Sequence, residues 1–114
     1  MKFNSDFRHD LEVGQLGEKL LADVLDNKRL EVKKDLKAMK TGNVFIEYRS
    51  RGKRSGISTS EAEWWALIVS EDVIKLIKTE RLKQLCRPYI GTKRDVSGGD
   101  SNTSRGVLLP VSEI

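Results

Sequence analysis

Ionisable side chains recur at every second position of LEVKKD, residues 30–35. In an extended strand, alternate side chains point to the same face, so Glu31, Lys33 and Asp35 would share one face. The next acid along the chain is Glu47, twelve positions after Asp35. Two carboxylates brought together at the end of a sheet suit Mg²⁺, which otherwise keeps water and substrate phosphate as ligands. With a lysine nearby to orient water or offset phosphate charge, such a site has the chemistry that phosphodiester hydrolysis needs.

The sequence around these acids is rich in basic residues. Between residues 27 and 54 there are ten Lys and Arg against three acids, a local balance of +7 in a chain whose net charge is +4. This density predicts binding to a polyanion, most often nucleic acid. We expect phosphate contacts from four residues of the glycine-containing loop that follows Glu47: Arg49, Arg51, Lys53 and Arg54.

Length and composition narrow the class of protein. The 114 residues, 38% hydrophobic and 33% charged, predict a single domain over residues 1–114. One cysteine and one histidine exclude multi-cysteine and histidine-based zinc sites and most Ser-His triads. No apolar run reaches membrane-spanning length and the N-terminus has no apolar leader, so we expect a cytoplasmic protein with no membrane partner.

The elements that must position the ionisable residues follow from hydrophobic periodicity. Apolar residues at helical spacing predict an amphipathic helix over Leu11–Leu25, with Glu18 beside its apolar stripe. Alternation predicts two strands, Arg29–Lys34 and Asn43–Arg49, and the turn residues between them favour an antiparallel pair. That pairing would bring the two candidate metal ligands together.

Helices and strands alternate through the rest of the chain. A capping box at Ser60–Glu63 predicts a helix that carries Trp64 and Trp65. Because both rings cannot easily enter one small core, this helix is the predicted seam of a homodimer. The remaining elements are two short strands, a helix and a last strand, at Leu67–Ser70, Val73–Lys78, Thr79–Cys86 and Val107–Val111. The order predicts an α/β or α+β fold with a central mixed β-sheet flanked by helices.

The chain resembles the PD-(D/E)XK nuclease superfamily, in particular small phage-type members that carry EVK-x-D, a TGN-x-x-x-E strand and a glycine-rich turn. The matching segments are LEVKKD (30–35), TGNVFIEYRSRGKRSGI (41–57), STSEAEWW (58–65) and GGDSNTSRGVLLPV (98–111). The resemblance implies a restriction-endonuclease-like core and Mg²⁺-dependent cleavage of duplex or branched DNA, with Mn²⁺ able to substitute for Mg²⁺.

The resemblance also implies roles for individual residues. Asp35 and Glu47 would hold the metal ion, and Glu18 and Lys33 would complete the catalytic set. The chain departs from the family pattern at Arg49, where a lysine is expected two positions after the second acid. Either Lys33 fills that role from the neighbouring strand or Arg49 stands in, although arginine is a very poor proton acceptor.

A different reading takes Glu31-Val32-Lys33 as the E-x-K signature of the family, with Asp26 as its acidic partner. In either arrangement, 114 residues leave no room for a separate target-recognition domain. Structure-selective cutting, or processing in recombination and repair, is therefore favoured over sequence-specific restriction. The alternative class is a catalytically inactive DNA-binding or regulatory protein on the same fold.

Overall fold

The computed structural model describes residues 2–26 and 29–114, with side chains described at 11–26, 29–99 and 101–114. The α-helices are α1 (Lys2–Leu25), α2 (Ala38–Thr41) and α3 (Thr79–Cys86). The strands are β1 (Leu30–Lys34), β2 (Asn43–Ser50), β3 (Lys53–Arg54), β4 (Trp64–Ile68), β5 (Ile74–Lys78), β6 (Asp95–Gly98) and β7 (Ser104–Pro110). The result is an α+β fold that contains a mixed sheet, as the sequence predicts.

The described strands divide between two sheets. The three-stranded sheet has the order β1-β4-β5, with β1 parallel to β4 and β4 antiparallel to β5. The four-stranded sheet has the order β3-β2-β7-β6 and is antiparallel throughout. The predicted antiparallel pairing of β1 with β2 is therefore wrong. Strand β1 pairs instead with the more apolar β4, which buries Trp65 and Leu67 beside it.

Trp64 and Trp65 lie on strand β4, so the helix predicted from the capping box at Ser60–Glu63 is wrong. Ser60 Oγ does accept the N–H of Ala62 at 3.3 Å, but it also accepts the indole N–H of Trp65 at 3.2 Å. The serine therefore shapes a turn that leads into a strand. Trp65 is buried and Trp64 is half-buried on the opposite face, so the two rings do not form the predicted helical seam of a homodimer.

The hydrophobic core draws on both sheets and on α3. Its most fully buried side chains are Val44, Ile46, Leu67, Leu82, Val107 and Leu109. The helix predicted over Thr79–Cys86 is confirmed at both ends, and it turns Leu82 and Cys86 inward. The last predicted strand is also confirmed, although it begins earlier, at Ser104.

Asp95, at the start of β6, joins several segments through its carboxylate. It accepts the hydroxyl of Tyr48 at 2.8 Å, the N–H of Gly91 at 2.9 Å and the guanidinium of Arg105 at 3.0 Å. Burial of this side chain acts to raise the pKa of Asp95, but these three hydrogen bonds outweigh burial. The pKa of Asp95 therefore lies below its ordinary value of 3.8.

Helix α1 is longer than predicted and projects from the rest of the molecule. It begins at Lys2 rather than at Leu11, and it ends at Leu25 as predicted. From Leu11 to Leu25 every residue except Val24 is exposed. The molecule measures 62 × 28 × 27 Å, and its radius of gyration of 17.4 Å exceeds the value of about 13 Å expected for a compact chain of this length. Among the residues described, no helix combines the length and apolar character that crossing a membrane requires.

Candidate functional site

Three of the ionisable residues singled out above meet in one open cleft with a volume of about 360 Å³. They are Glu31 and Lys33 of β1 and Glu47 of β2. Lys33 and Glu47 are half-buried, and Glu31 is exposed. The complete lining is Glu31, Val32, Lys33, Lys34, Glu47, Gly56 and Trp65.

The alternation of β1 and β2 explains why these side chains converge. On β2, Phe45 and Glu47 point away from the buried face that carries Val44 and Ile46. The ammonium group of Lys33 lies 5.5 Å from the centroid of the Phe45 ring, a cation–π distance. This contact ties the polar face of β1 to the face of β2 that carries Glu47.

Glycine at position 106 lets the Phe45 ring lie flat against strand β7. A Cβ atom added at Gly106 would lie 2.5 Å from a ring carbon of Phe45, too close for any real side chain. The ring therefore occupies the space that a side chain on β7 would otherwise fill. The ring contacts the ammonium group of Lys33 beside the cleft.

Glu47 is held by the loop that returns past it. Its Oε2 accepts the hydroxyl of Ser55 at 3.0 Å. The next residue, Gly56, has a φ of +54°, and an added Cβ would lie only 2.2 Å from the backbone oxygen of Glu47. Glycine is thus required for the loop to pass this close and to line the cleft.

Asp35, predicted to share a metal ion with Glu47, is bound differently. Its Oδ1 accepts the N–H of Lys37 at 3.1 Å and its Oδ2 accepts the N–H of Phe45 at 3.0 Å. The carboxylate therefore links the end of β1 to β2 through the backbone. Asp35 does not belong to the lining of the cleft that Glu47 shares with Glu31.

Arg49 points to the opposite face from Glu47, because β2 has an irregularity between them. Glu47 lies opposite Gly106 and Arg49 lies opposite Arg105, so one extra residue is present on β2. Gly106 and Arg105 are consecutive on β7 and face opposite ways. The expected simple alternation, which put Glu47 and Arg49 on one face, is therefore wrong.

The four cations predicted to contact phosphate divide between the two faces of the β2–β3 hairpin. Arg54 lies opposite Arg49, on the face turned away from Glu47. Lys53 lies opposite Ser50, and Ser50 lies opposite Ser104. Ser104 is two residues from Gly106, the partner of Glu47, so Lys53 lies on the same face as Glu47. Arg51 lines a depression together with Glu47. The turn at Arg51 and Gly52, both with positive φ, is the two-residue hairpin type.

Two further depressions extend the cleft into a groove, which we call the Glu31–Glu47 groove. One shares Glu31 and Gly56 with the cleft and continues past Arg29 to the loop at Thr59–Ala62. The other shares Glu47 with the cleft and continues past Arg51 to Thr103 and Ser104. The three together run across both sheets, with the acids at the middle.

The remaining candidate acids lie away from this groove. Glu18 is exposed on the projecting helix α1, and Asp26 is exposed just beyond its end. Neither lines the cleft or its two extensions. Within residues 2–26 and 29–114, no group of three or more His, Cys, Asp or Glu side chains could hold a metal ion.

Sequence reasoning missed Ser55 and Gly56, the two residues that fix Glu47. The sequence RGKRSG predicts a glycine-punctuated basic loop, but nothing local indicates that this loop folds back onto Glu47. Comparisons with protein-family models, with curated proteins and with solved structures found no match. The site must therefore be interpreted from its own geometry.

Proposed function

We propose that this protein is a Mg²⁺-dependent nuclease that hydrolyses DNA phosphodiester bonds in the Glu31–Glu47 groove. The observation that carries the proposal is the convergence of Glu31, Lys33 and Glu47 in one open cleft. The local charge of +7 around these residues supports a polyanionic substrate. The resemblance of LEVKKD and TGNVFIE to the PD-(D/E)XK superfamily supports phosphodiester cleavage.

The donors of the cleft fit Mg²⁺. This ion is usually bound by one or two carboxylates, and it completes its coordination with water and substrate phosphate. Glu31 and Glu47 would hold it because both line the cleft, whereas Asp35 lies outside this lining. When bound there, the ion supplies Lewis-acid polarisation of the phosphate and a more acidic water. Asp35 then acts as a positioning residue, because it holds the end of β1 against β2.

Lys33 is the cation best placed for the role that the family gives to lysine. Its ammonium group is held over Phe45, on the same face as Glu47. From there it stabilises negative charge that develops on the phosphate and orients the attacking water. Arg49 lies on the opposite face of β2, which supports Lys33 over Arg49 in this role.

The DNA strand follows the groove past the β2–β3 hairpin. Arg51 and Lys53 lie on the Glu47 side of this hairpin, where they meet the phosphates that flank the cleft. Such contacts are independent of sequence.

The test is cleavage of supercoiled plasmid, single-stranded oligonucleotides and a four-way junction, each with Mg²⁺, Mn²⁺ or EDTA. We expect cleavage with either metal ion and none with EDTA. Glu31→Gln and Glu47→Gln should abolish cleavage, and Lys33→Ala should lose roughly 10²-fold or more in rate. Glu71→Gln, on an exposed turn outside the groove, is the matched control and should remain active.

Three results would count against the proposal. Metal-independent cleavage would remove the role of Glu31 and Glu47 as ligands. A larger loss from Arg49→Ala than from Lys33→Ala would transfer the lysine role to Arg49. Tight DNA binding without cleavage of any substrate would assign the protein to the class of DNA-binding proteins that lack nuclease activity.

A further inference from the structure

The three-stranded sheet exposes an apolar face. In its register, Val32 lies opposite Ala66 and Ala66 lies opposite Leu76, so these three share a face. The neighbouring positions of that face are also mainly apolar, and we call the whole set the outer face: Leu30, Val32, Trp64, Ala66, Ile68, Ile74 and Leu76. Val32 is 59% exposed and Ile74 is 61% exposed, whereas Ala66 is buried at the centre of the face and Leu30, Trp64 and Ile68 are half-buried. The opposite face carries Trp65, Leu67 and Ile77 into the core.

Helix α1 exposes a second apolar surface. Val13, Leu16, Leu20, Leu21 and Val24 follow the 3.6-residue period and form one stripe along the helix. Only Val24, at the end that leads into the body of the protein, is buried; Leu16 is 69% exposed. An amphipathic helix in a water-soluble setting normally buries such a stripe against another element. The described part of the chain thus leaves one apolar helix face and one apolar sheet face uncovered.

We propose that these two surfaces cover one another between two copies of this chain. In the resulting homodimer, the stripe of α1 from each copy lies on the outer face of the three-stranded sheet of the other copy. The contact is repeated by a two-fold axis, so the assembly closes as a dimer and leaves neither surface free. This inference concerns assembly and stands independently of the nuclease proposal.

Size and charge both favour a second copy as the partner. Helix α1 has 24 residues and is roughly 36 Å long, so it can span all three strands of the outer face. The two-fold axis doubles the contact, and the area of a stable interface is roughly 1,200–2,000 Å² in total. The part of the helix with described side chains, residues 11–25, carries three acids against one lysine. The outer face is bordered by Lys34 and Lys78, which supply the complementary charge.

The direction of α1 favours exchange over folding back. Burial of Val24 fixes the end of the helix, and the helix is continuous from there to Lys2. Its stripe from Val13 to Leu21 is exposed and therefore is not packed on its own sheet. A second copy can receive the helix in this orientation, whereas packing onto its own sheet would require the helix to reorient.

Light scattering on micromolar protein tests the proposal, and we expect about twice the monomer mass of 12.9 kDa. The helix variant Leu16→Asp/Leu20→Asp and the sheet variant Ile74→Asp/Leu76→Asp should each fall to the monomer mass. The control Met39→Asp, which also replaces an exposed apolar residue, should remain dimeric. A wild-type monomer, or dimers that survive both double substitutions, would overturn the proposal.

A cross-link distinguishes exchange from folding back, even if the charged variants fold poorly. Leu16→Cys and Ile74→Cys are introduced together and the protein is oxidised. Exchange predicts a covalent dimer on a denaturing gel, whereas folding back predicts an internal link and the monomer mass, which would overturn the proposal. The native Cys86 does not compete, because burial raises the pKa of its thiol to about 12.

Discussion

At the scale of single residues, the carboxylates of Asp35 and Glu47 are both half-buried but have different partners. Asp35 accepts two backbone N–H groups, one with each of its oxygens. Glu47 accepts one hydroxyl, from Ser55, and faces the cleft. The first arrangement stabilises the fold, and the second leaves a carboxylate available to a ligand.

This difference predicts unequal effects of substitution on stability. Asp35→Ala leaves the N–H groups of Lys37 and Phe45 without their acceptor, so the free energy of unfolding should fall by about 1–3 kcal/mol. Glu47→Gln keeps an acceptor for the Ser55 hydroxyl, so the free energy of unfolding should change by less than about 0.5 kcal/mol. Urea denaturation of both variants measures these values. An Asp35→Ala protein with wild-type stability and no cleavage would instead make Asp35 a metal ligand.

At the scale of elements, the β2–β3 hairpin separates its positive charges onto two faces. Arg51→Gln/Lys53→Gln removes two charges from the Glu47 side, and Arg49→Gln/Arg54→Gln removes two from the reverse side. Only the first pair should weaken DNA binding strongly and flatten its salt dependence, by up to about 0.9 for each phosphate that the variant no longer neutralises. Fluorescence anisotropy at several salt concentrations measures both slopes. Equal effects of the two pairs would mean that net charge, and not the face, determines binding.

The attachment of β6 to its neighbours predicts a specific loss of stability in acid. Folding lowers the pKa of Asp95. The ionised carboxylate therefore contributes to the free energy of unfolding above the pKa of Asp95 in the unfolded chain, and this contribution is lost as the pH falls through its pKa in the folded protein. Asp95→Asn should lower stability at pH 7 and should also reduce the extra loss of stability as the pH falls below the ordinary pKa of 3.8. Urea denaturation across this range is the measurement. Parallel pH curves for the two proteins would show that other carboxylates dominate the acid transition.

Local patterns predicted some elements well and others not at all. Helix α3 and strand β7 were predictable because their apolar patterns are sufficient on their own. Strand alternation also predicted that Lys33 and Glu47 leave the buried face of their strands, although their roles stay predictions. In contrast, the irregularity before Arg49 exists only through pairing with β7, which lies far along the chain. The choice of β4 as the partner of β1 likewise depends on burial of Trp65 and Leu67, which no local signal in β1 specifies.

At the scale of the whole molecule, the proposed dimer contact and the cleft meet at β1, where Val32 belongs to both surfaces. Glu31 and Lys33 alternate with Leu30 and Val32, which belong to the outer face. Ile74 and Leu76 line neither the cleft nor its two extensions, so a variant that dissociates the dimer through these residues should leave each cleft intact. Ile74→Asp/Leu76→Asp should nick plasmid within about twofold of the wild-type rate, but should produce much less linear product, because paired cuts need two linked sites. Equal losses of nicking and linear product would show that the dimer also builds the cleft.

The Phe45 ring against the bare backbone of Gly106 has a consequence for how this chain can change over generations. A methyl group at position 106 would collide with the ring, so Gly106→Ala is not tolerated while Phe45 is present. Loss of the ring alone would leave Lys33 without its support and open a gap over β7. An added Cβ at position 106 would also lie 2.7 Å from the backbone oxygen of Ile46, a contact that no substitution at position 45 removes, so glycine is expected at 106 among descendants of this sequence.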